Sequence, residues 1–202
     1  MKPEYTPKET AVFEAVMRLA GRGVDLAGVK VQQIADEANM GKGTLYEYFK
    51  SKEEILHGTV GWCLAQEAAA VMQLTGNART MPELMELGAD YAHALVTRRM
   101  AAYQMIAGVL HADAADAPPC GAKPLLQGLQ ALLGQDYRMA KATGWLADDV
   151  EEAYFRHVLF TAMVSYAMVL AGLAKEGCLT AEAERTQRSY FKRMLCACLQ
   201  TP

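Results

Sequence analysis

The chain has no surplus of positive charge. Its 20 Lys and Arg stand against 23 Asp and Glu, for a formal net charge of −3 over 202 residues. That balance predicts modest nonspecific affinity for nucleic acid and leaves any such contact to a local patch. Catalytic motifs are missing too. There is no Gly-rich phosphate loop, no His-Glu-x-x-His, no Gly-x-Ser-x-Gly and no carboxylate pair with an accompanying base. The five cysteines (Cys63, Cys120, Cys178, Cys196 and Cys198) are an odd number. Met1 to Glu14 is charged and has no apolar leader segment. Both features predict reduced thiols in a cytoplasm. Cys196 and Cys198 are the one close pair, with no His or further Cys at zinc-ligand spacing, so neither metal nor cofactor is expected. Val158 to Ala174 carries no charge but falls short of the roughly 20 apolar residues a membrane span needs. It also contains Thr161, Ser165, Tyr166 and Gly172. A buried helix and no membrane partner are expected. Internal repeats and low-complexity runs are absent, and at 52% hydrophobic the chain can bury a substantial core in one or two domains.

What is present is helix, announced by caps. Thr6-Pro7-Lys8-Glu9 is a capping box with proline at the first helical position, opening a helix that stops near Gly21 and Gly23. Ser51-Lys52-Glu53-Glu54 and Thr80-Met81-Pro82-Glu83 are two further boxes, opening helices to about Leu74 and Val96. Other helices are expected over about 98–112, 124–141, 148–175 and 180–199. Asp148, Asp149, Glu151 and Glu152 read as an acidic cap to the helix ending at Lys175, where Gly177 follows. No segment reads as a strand. The expected class is all-α.

Residues 31–57, VQQIADEANMGKGTLYEYFKSKEEILH, concentrate the functional signal. Val31, Ile34, Ala35 and Ala38 mark one face of a short helix. Asn39-Met40-Gly41 breaks it, since Asn tolerates the left-handed backbone and Gly adopts it at little cost. Lys42 to Phe49 forms a second short helix with Leu45 and Phe49 as its inner pair. The opposite side carries Lys42, Gly43, Thr44, Tyr46 and Tyr48, small at its start and rich in donors. Residues 1–60 are net −1, yet residues 39–52 hold Lys42, Lys50 and Lys52 against Glu47, a net of +2. Two short helices joined by a tight turn, the second with this face, fit a helix-turn-helix that reads a major groove.

The stretch also resembles the DNA-binding domain of the TetR family of bacterial transcription regulators. The resemblance spans about residues 7 to 57. It rests on Ile34-Ala35, Ala38, Lys42-Gly43-Thr44-Leu45-Tyr46, Tyr48-Phe49 and Lys50 to Leu56. Two positions depart from the usual pattern: Asn39 stands where Gly is common, and Gly41 where Ser or Thr is common. The resemblance implies a three-helix helix-turn-helix domain over 1–51. A larger helical effector-binding and dimerisation domain follows over 52–202. It also implies contacts with double-stranded DNA by Gln32, Lys42, Gly43, Thr44, Tyr46, Tyr48, Lys50 and Lys52. Lys42 suits guanine or phosphate, and the Thr44 methyl suits a thymine methyl. Lys30 lies beside them within reach of a phosphate.

One head reads few base pairs, so a palindromic operator read by a homodimer is expected. The helix ending at Lys175 is apolar nearly all round and needs cover on more than one face. Ala162, Tyr190 and Met194 are the expected interface residues. Methionines with scattered Tyr and His suggest a pocket for a small, hydrophobic effector. The residues expected there are Tyr91, Met100, Tyr103, Met105, His111, Tyr154, Met163 and Tyr166. Together these imply a ligand-responsive repressor. The competing reading is a helical interaction protein, or an enzyme, whose head does not bind DNA; Glu47 on the groove-facing helix is its main support.

Overall fold

A computed structural model describes residues 5–76, 78–111 and 122–200, with side chains described outside 108–130. Among the described residues there are nine helices and no strand: α1 (Pro7–Gly21), α2 (Val31–Glu37), α3 (Lys42–Tyr48), α4 (Lys52–Thr75), α5 (Met81–Arg98), α6 (Met100–His111), α7 (Ala122–Ala142), α8 (Glu152–Lys175) and α9 (Ala181–Leu199). The chain divides into two compact units. The first is Met1–Ala68 with Arg99–Leu126; the second is Ala69–Arg98 with Gln127–Pro202.

The first unit is built around Phe13. The Thr6 hydroxyl accepts from the Glu9 amide at 3.2 Å, and the Glu9 carboxylate accepts from the Thr6 amide at 2.7 Å, closing the expected box. From this start α1 buries Val12, Phe13, Ala15, Val16 and Leu19. The Phe13 ring meets Tyr5, Phe49 and Trp62 at centroid distances of 5.0, 5.7 and 6.2 Å. Gly58 permits this: a Cβ there would lie 2.9 Å from Phe13 Cε1. Arg18 and Arg22 at the end of α1 both clasp Glu37 at the end of α2, Arg18 through Nε at 2.8 Å. The two guanidinium groups hold the Glu37 carboxyl below its ordinary range. α6 packs on α1, and Arg99 just before it pairs with Glu67 of α4 at 2.7 Å.

In the second unit α8 packs on both α5 and α9. It buries Phe155, Val158, Leu159, Ala162, Tyr166, Leu170 and Ala171. α8 is long and apolar enough to cross a membrane by composition alone. Here part of that apolar surface is spent on its two neighbours. Tyr166 stacks on Phe191 at 5.0 Å and its hydroxyl donates to Glu184. Gly88 lets α5 approach the Met163 sulfur, 3.2 Å from where a Cβ would sit. Arg188 of α9 gathers Glu184, Asp90 and Glu86 at 2.8, 2.6 and 3.1 Å, and Lys192 joins Glu86. On α7, Tyr137 packs on Phe155 and its hydroxyl donates to the Val150 carbonyl at 3.1 Å.

One boundary differs from expectation. α8 begins at Glu152, not Asp148. Lys141 Nζ donates to the carbonyls of Ala147 and Asp148, and the Ala147 amide donates to the Leu199 carbonyl. These tertiary bonds hold 147–150 in a turn, and the first helical bond is the Phe155 amide to the Glu151 carbonyl.

Candidate nucleic-acid interface

Helix α3 is placed by its buried side. Leu45 is fully buried and Phe49, at the C-cap, nearly so. Asn39 takes φ of 53°, the left-handed conformation that turns the chain between α2 and α3. Gly41 caps α3 with extended backbone and no side-chain bond. With Leu45 and Phe49 inward, Lys42, Gly43, Tyr46 and Glu47 are exposed and Thr44 is half-buried. A Cβ at Gly43 would meet nothing within 4 Å, so the backbone of α3 is open to close approach there.

The remaining expected contact residues lie around this helix. Lys42 Nζ sits 5.9 Å from the Tyr46 ring, and Lys8 Nζ sits 5.4 Å from the Tyr48 ring. Gln32 is exposed on α2 and its amide nitrogen donates to Asp36 at 2.7 Å. Lys50 is exposed; its backbone amide donates to Glu54 at 2.5 Å, helping to start α4 together with the bond from the Glu54 amide to the Ser51 hydroxyl. Lys52 is half-buried and its Nζ donates to the Ala27 carbonyl at 2.7 Å. That bond ties the start of α4 to the loop ahead of α2, and sequence spacing gave no sign of it. Lys8 is likewise a basic residue that the local motif did not reveal, brought to Tyr48 by the packing of α1.

The expected effector residues fall in both units. Met100, Tyr103, Met105 and His111 belong to the first, and the His111 side chain lies outside the described residues. Met105 is buried and Met100 and Tyr103 half-buried. Burial pushes the Tyr103 hydroxyl above its ordinary pKa. Tyr91, Tyr154, Met163 and Tyr166 belong to the second unit. Tyr166 is buried between α8 and α9, whereas Tyr154 is exposed and lines a cavity of about 470 Å³ with Val150, Glu151 and Cys198. A second cavity, of about 330 Å³, lies in the first unit between Met17 of α1, Trp62 and Cys63 of α4 and Ala102 of α6. Of the expected interface residues, Tyr190 and Met194 are exposed on α9, and Ala162 is fully buried within its own chain. Phe160, Met168 and Val169 of α8 are also exposed, an apolar surface that sequence alone did not separate from the core.

The short α2, the left-handed turn and the open face of α3 define a helix-turn-helix DNA-binding protein with a helical body. Residues 14–59 match the family described as bacterial regulatory proteins, tetR family. The chain therefore carries the DNA-binding domain of the TetR family of transcription regulators, and the resemblance read from its sequence is borne out. No curated protein matches it. Solved structures share its all-helical fold end to end. A TetR family transcription regulator from Marinobacter aquaeolei VT8 is 20% identical, with 96% of each chain covered and a TM-score of 0.70. SmeT, the repressor of the Stenotrophomonas maltophilia multidrug efflux pump SmeDEF, is 15% identical over 98% of this chain and 92% of its own, with a TM-score of 0.66. The regulator FadR from Bacillus subtilis, solved with stearoyl-CoA, is 15% identical over 92% and 95%, with a TM-score of 0.65.

Proposed function

We propose that this protein is a cytoplasmic, dimeric repressor that binds a palindromic operator and is released from it by a small, largely hydrophobic effector. The open face of α3 carries this reading. Lys42, Gly43 and Thr44 at its N-terminal end are free to enter a major groove because Leu45 and Phe49 hold the helix from behind. Gln32, Tyr46, Tyr48 and Lys50 flank them as further contacts. Lys52 contributes by fixing the loop at Ala27 and by lying at the α4 N-terminus, where free amides favour a phosphate. The DNA-binding function is assigned to residues 1–51, and effector binding and dimerisation to 52–202.

Exposed Phe160, Met168, Tyr190 and Met194 supply the apolar surface for a two-fold interface of α8 and α9. A monomer at micromolar concentration by light scattering would contradict the interface. α4 is one helix whose residues 52–68 belong to the first unit and 69–75 to the second, which suits it as the lever. Effector binding that favours one arrangement of the heads by 1–3 kcal/mol would alter operator occupancy about 5–150-fold. The deciding experiment is fluorescence anisotropy on duplex DNA from upstream of the protein's own gene, against scrambled DNA at two salt concentrations. Salt-sensitive discrimination is expected. Equal binding to both duplexes, or none, at every operator tried would refute the assignment.

A further inference from the structure

The outward side of α3 carries an acid at its centre. Glu47 lies two residues from Leu45 and two from Phe49, about 200° around the helix from each. Those two side chains are buried, so the exposed Glu47 points directly away from the head. Gly43 is one turn earlier on the same side, and a Cβ there would meet nothing within 4 Å. No side chain ahead of Glu47 on that side holds the helix away from a groove. α3 has seven residues and is about 10 Å long, less than the roughly 12 Å width of a major groove. Its whole outward side fits inside, Glu47 included. The carboxylate is also uncommitted: no hydrogen bond or ion pair among the described residues reaches it. Other acids of the head are engaged. Glu37 clasps Arg18 and Arg22, and Glu54 accepts from the Lys50 amide. Two nearby cations are placed elsewhere, Lys42 Nζ 5.9 Å from the Tyr46 ring and Lys52 Nζ on the Ala27 carbonyl.

An ionised carboxylate only accepts hydrogen bonds. Phosphates repel it, so in a major groove it requires a donor on a base edge. Guanine and thymine present acceptors there, and adenine sets its N7 acceptor beside its amino group. Cytosine presents the N4 amino donor alone. We propose that Glu47 is a specificity-determining residue that selects cytosine in each half-site, its carboxylate accepting from the cytosine amino group. The proposal rests on the DNA-binding reading above and adds to it one base pair of the operator. Lys42 at the start of α3 and Lys50 just beyond its end supply attraction to phosphate that offsets the acid. Wherever the cytosine is missing, the same charge is left against acceptors, so it rejects wrong sites as well as favouring the right one.

Selection of binding sites from a randomised duplex pool, read by sequencing, tests this with the full chain as wild type, Glu47→Ala and Glu47→Gln. Wild type should enrich sites with a position in each half-site where a C·G pair exceeds the other three pairs by about tenfold, as one base-edge contact implies. In Glu47→Ala that position alone should fall to within about twofold, while affinity for scrambled DNA rises. In Glu47→Gln it should turn to an A·T pair, because adenine N6 and N7 match a carboxamide. An unchanged preference at every position in Glu47→Ala would overturn the assignment. So would a wild-type preference for an A·T pair at the position that Glu47 controls. Wild-type half-sites without a strongly preferred C·G pair would overturn it whatever the variants do. In all three cases the DNA-binding reading would stand. No enriched sequence for wild type would overturn that reading, and the cytosine contact with it.

Discussion

Replacing Asp136 by Asn should stabilise the protein, and the gain should depend on pH. Burial pushes the Asp136 carboxyl up to about 6, from an ordinary 3.8. The folded state thus holds the proton more tightly than the unfolded chain does. Stability from this group is fully present below about pH 4 and is lost as pH rises through about 6. At 1.36 kcal/mol per pH unit, the gap between 3.8 and about 6 corresponds to about 3 kcal/mol lost by pH 8. The residue is 6% exposed but its carboxyl is only partly removed from water, so solvent screening makes this figure an upper bound. Asn matches the shape and cannot ionise, but its amide carries a desolvation cost of its own. A net gain of about 1–3 kcal/mol is therefore expected at pH 8, shrinking toward zero near pH 4. Urea unfolding of both proteins from pH 4.5 to 8, followed by circular dichroism, would measure it. A variant less stable than wild type at pH 8 would refute the reasoning, as would a difference that does not change with pH. Either result would mean that the carboxylate has a partner in the folded chain.

Gly58→Ala should cost about 1–3 kcal/mol, because the new Cβ would meet the Phe13 ring at 2.9 Å; an unchanged urea midpoint would show that the ring yields freely. Lys42→Ala should weaken binding to operator and scrambled DNA alike, and lower the slope of log affinity against log salt by about one. Anisotropy across a salt series reads this directly, and an unaltered slope would remove Lys42 from the phosphate contacts. Burial pushes the Cys63 thiol up to about 12. Native protein treated with iodoacetamide at pH 8 should therefore be alkylated at exposed Cys178 and spared at Cys63, as mapped by mass spectrometry. Labelling of both at equal rates would show that the first unit opens readily.

Most of the helices were legible in the chain because their signals are local. A capping box needs four consecutive residues, and Thr6 with Glu9 closes one as its spacing predicts. Asn39 adopts the left-handed backbone that its side chain tolerates. Leu45 and Phe49, one turn apart, go inward together and leave Lys42, Gly43 and Glu47 outside. The start of α8 was not legible. Lys141 and the Leu199 carbonyl hold 147–150 in a turn, and neither partner is adjacent to that turn in sequence. Nor did periodicity divide α8 into surface and core, because Phe160 and Ala162 are equally apolar and only the positions of α5 and α9 set them apart.

The sequence by itself determined the class of protein. Helix caps, one left-handed turn and the residues from Ile34 to Leu56 identify a TetR-type head, because a helix-turn-helix is specified by contacts a few residues apart. Tertiary structure decided what depends on distant partners. It brought Lys8 to Tyr48, Lys52 to the Ala27 carbonyl and two arginines to Glu37. It also buried Asp136, the one acidic residue of α7, with no ion-pair partner among the described residues. The cost of a buried charge depends on what surrounds it, and that is set only once the helices pack.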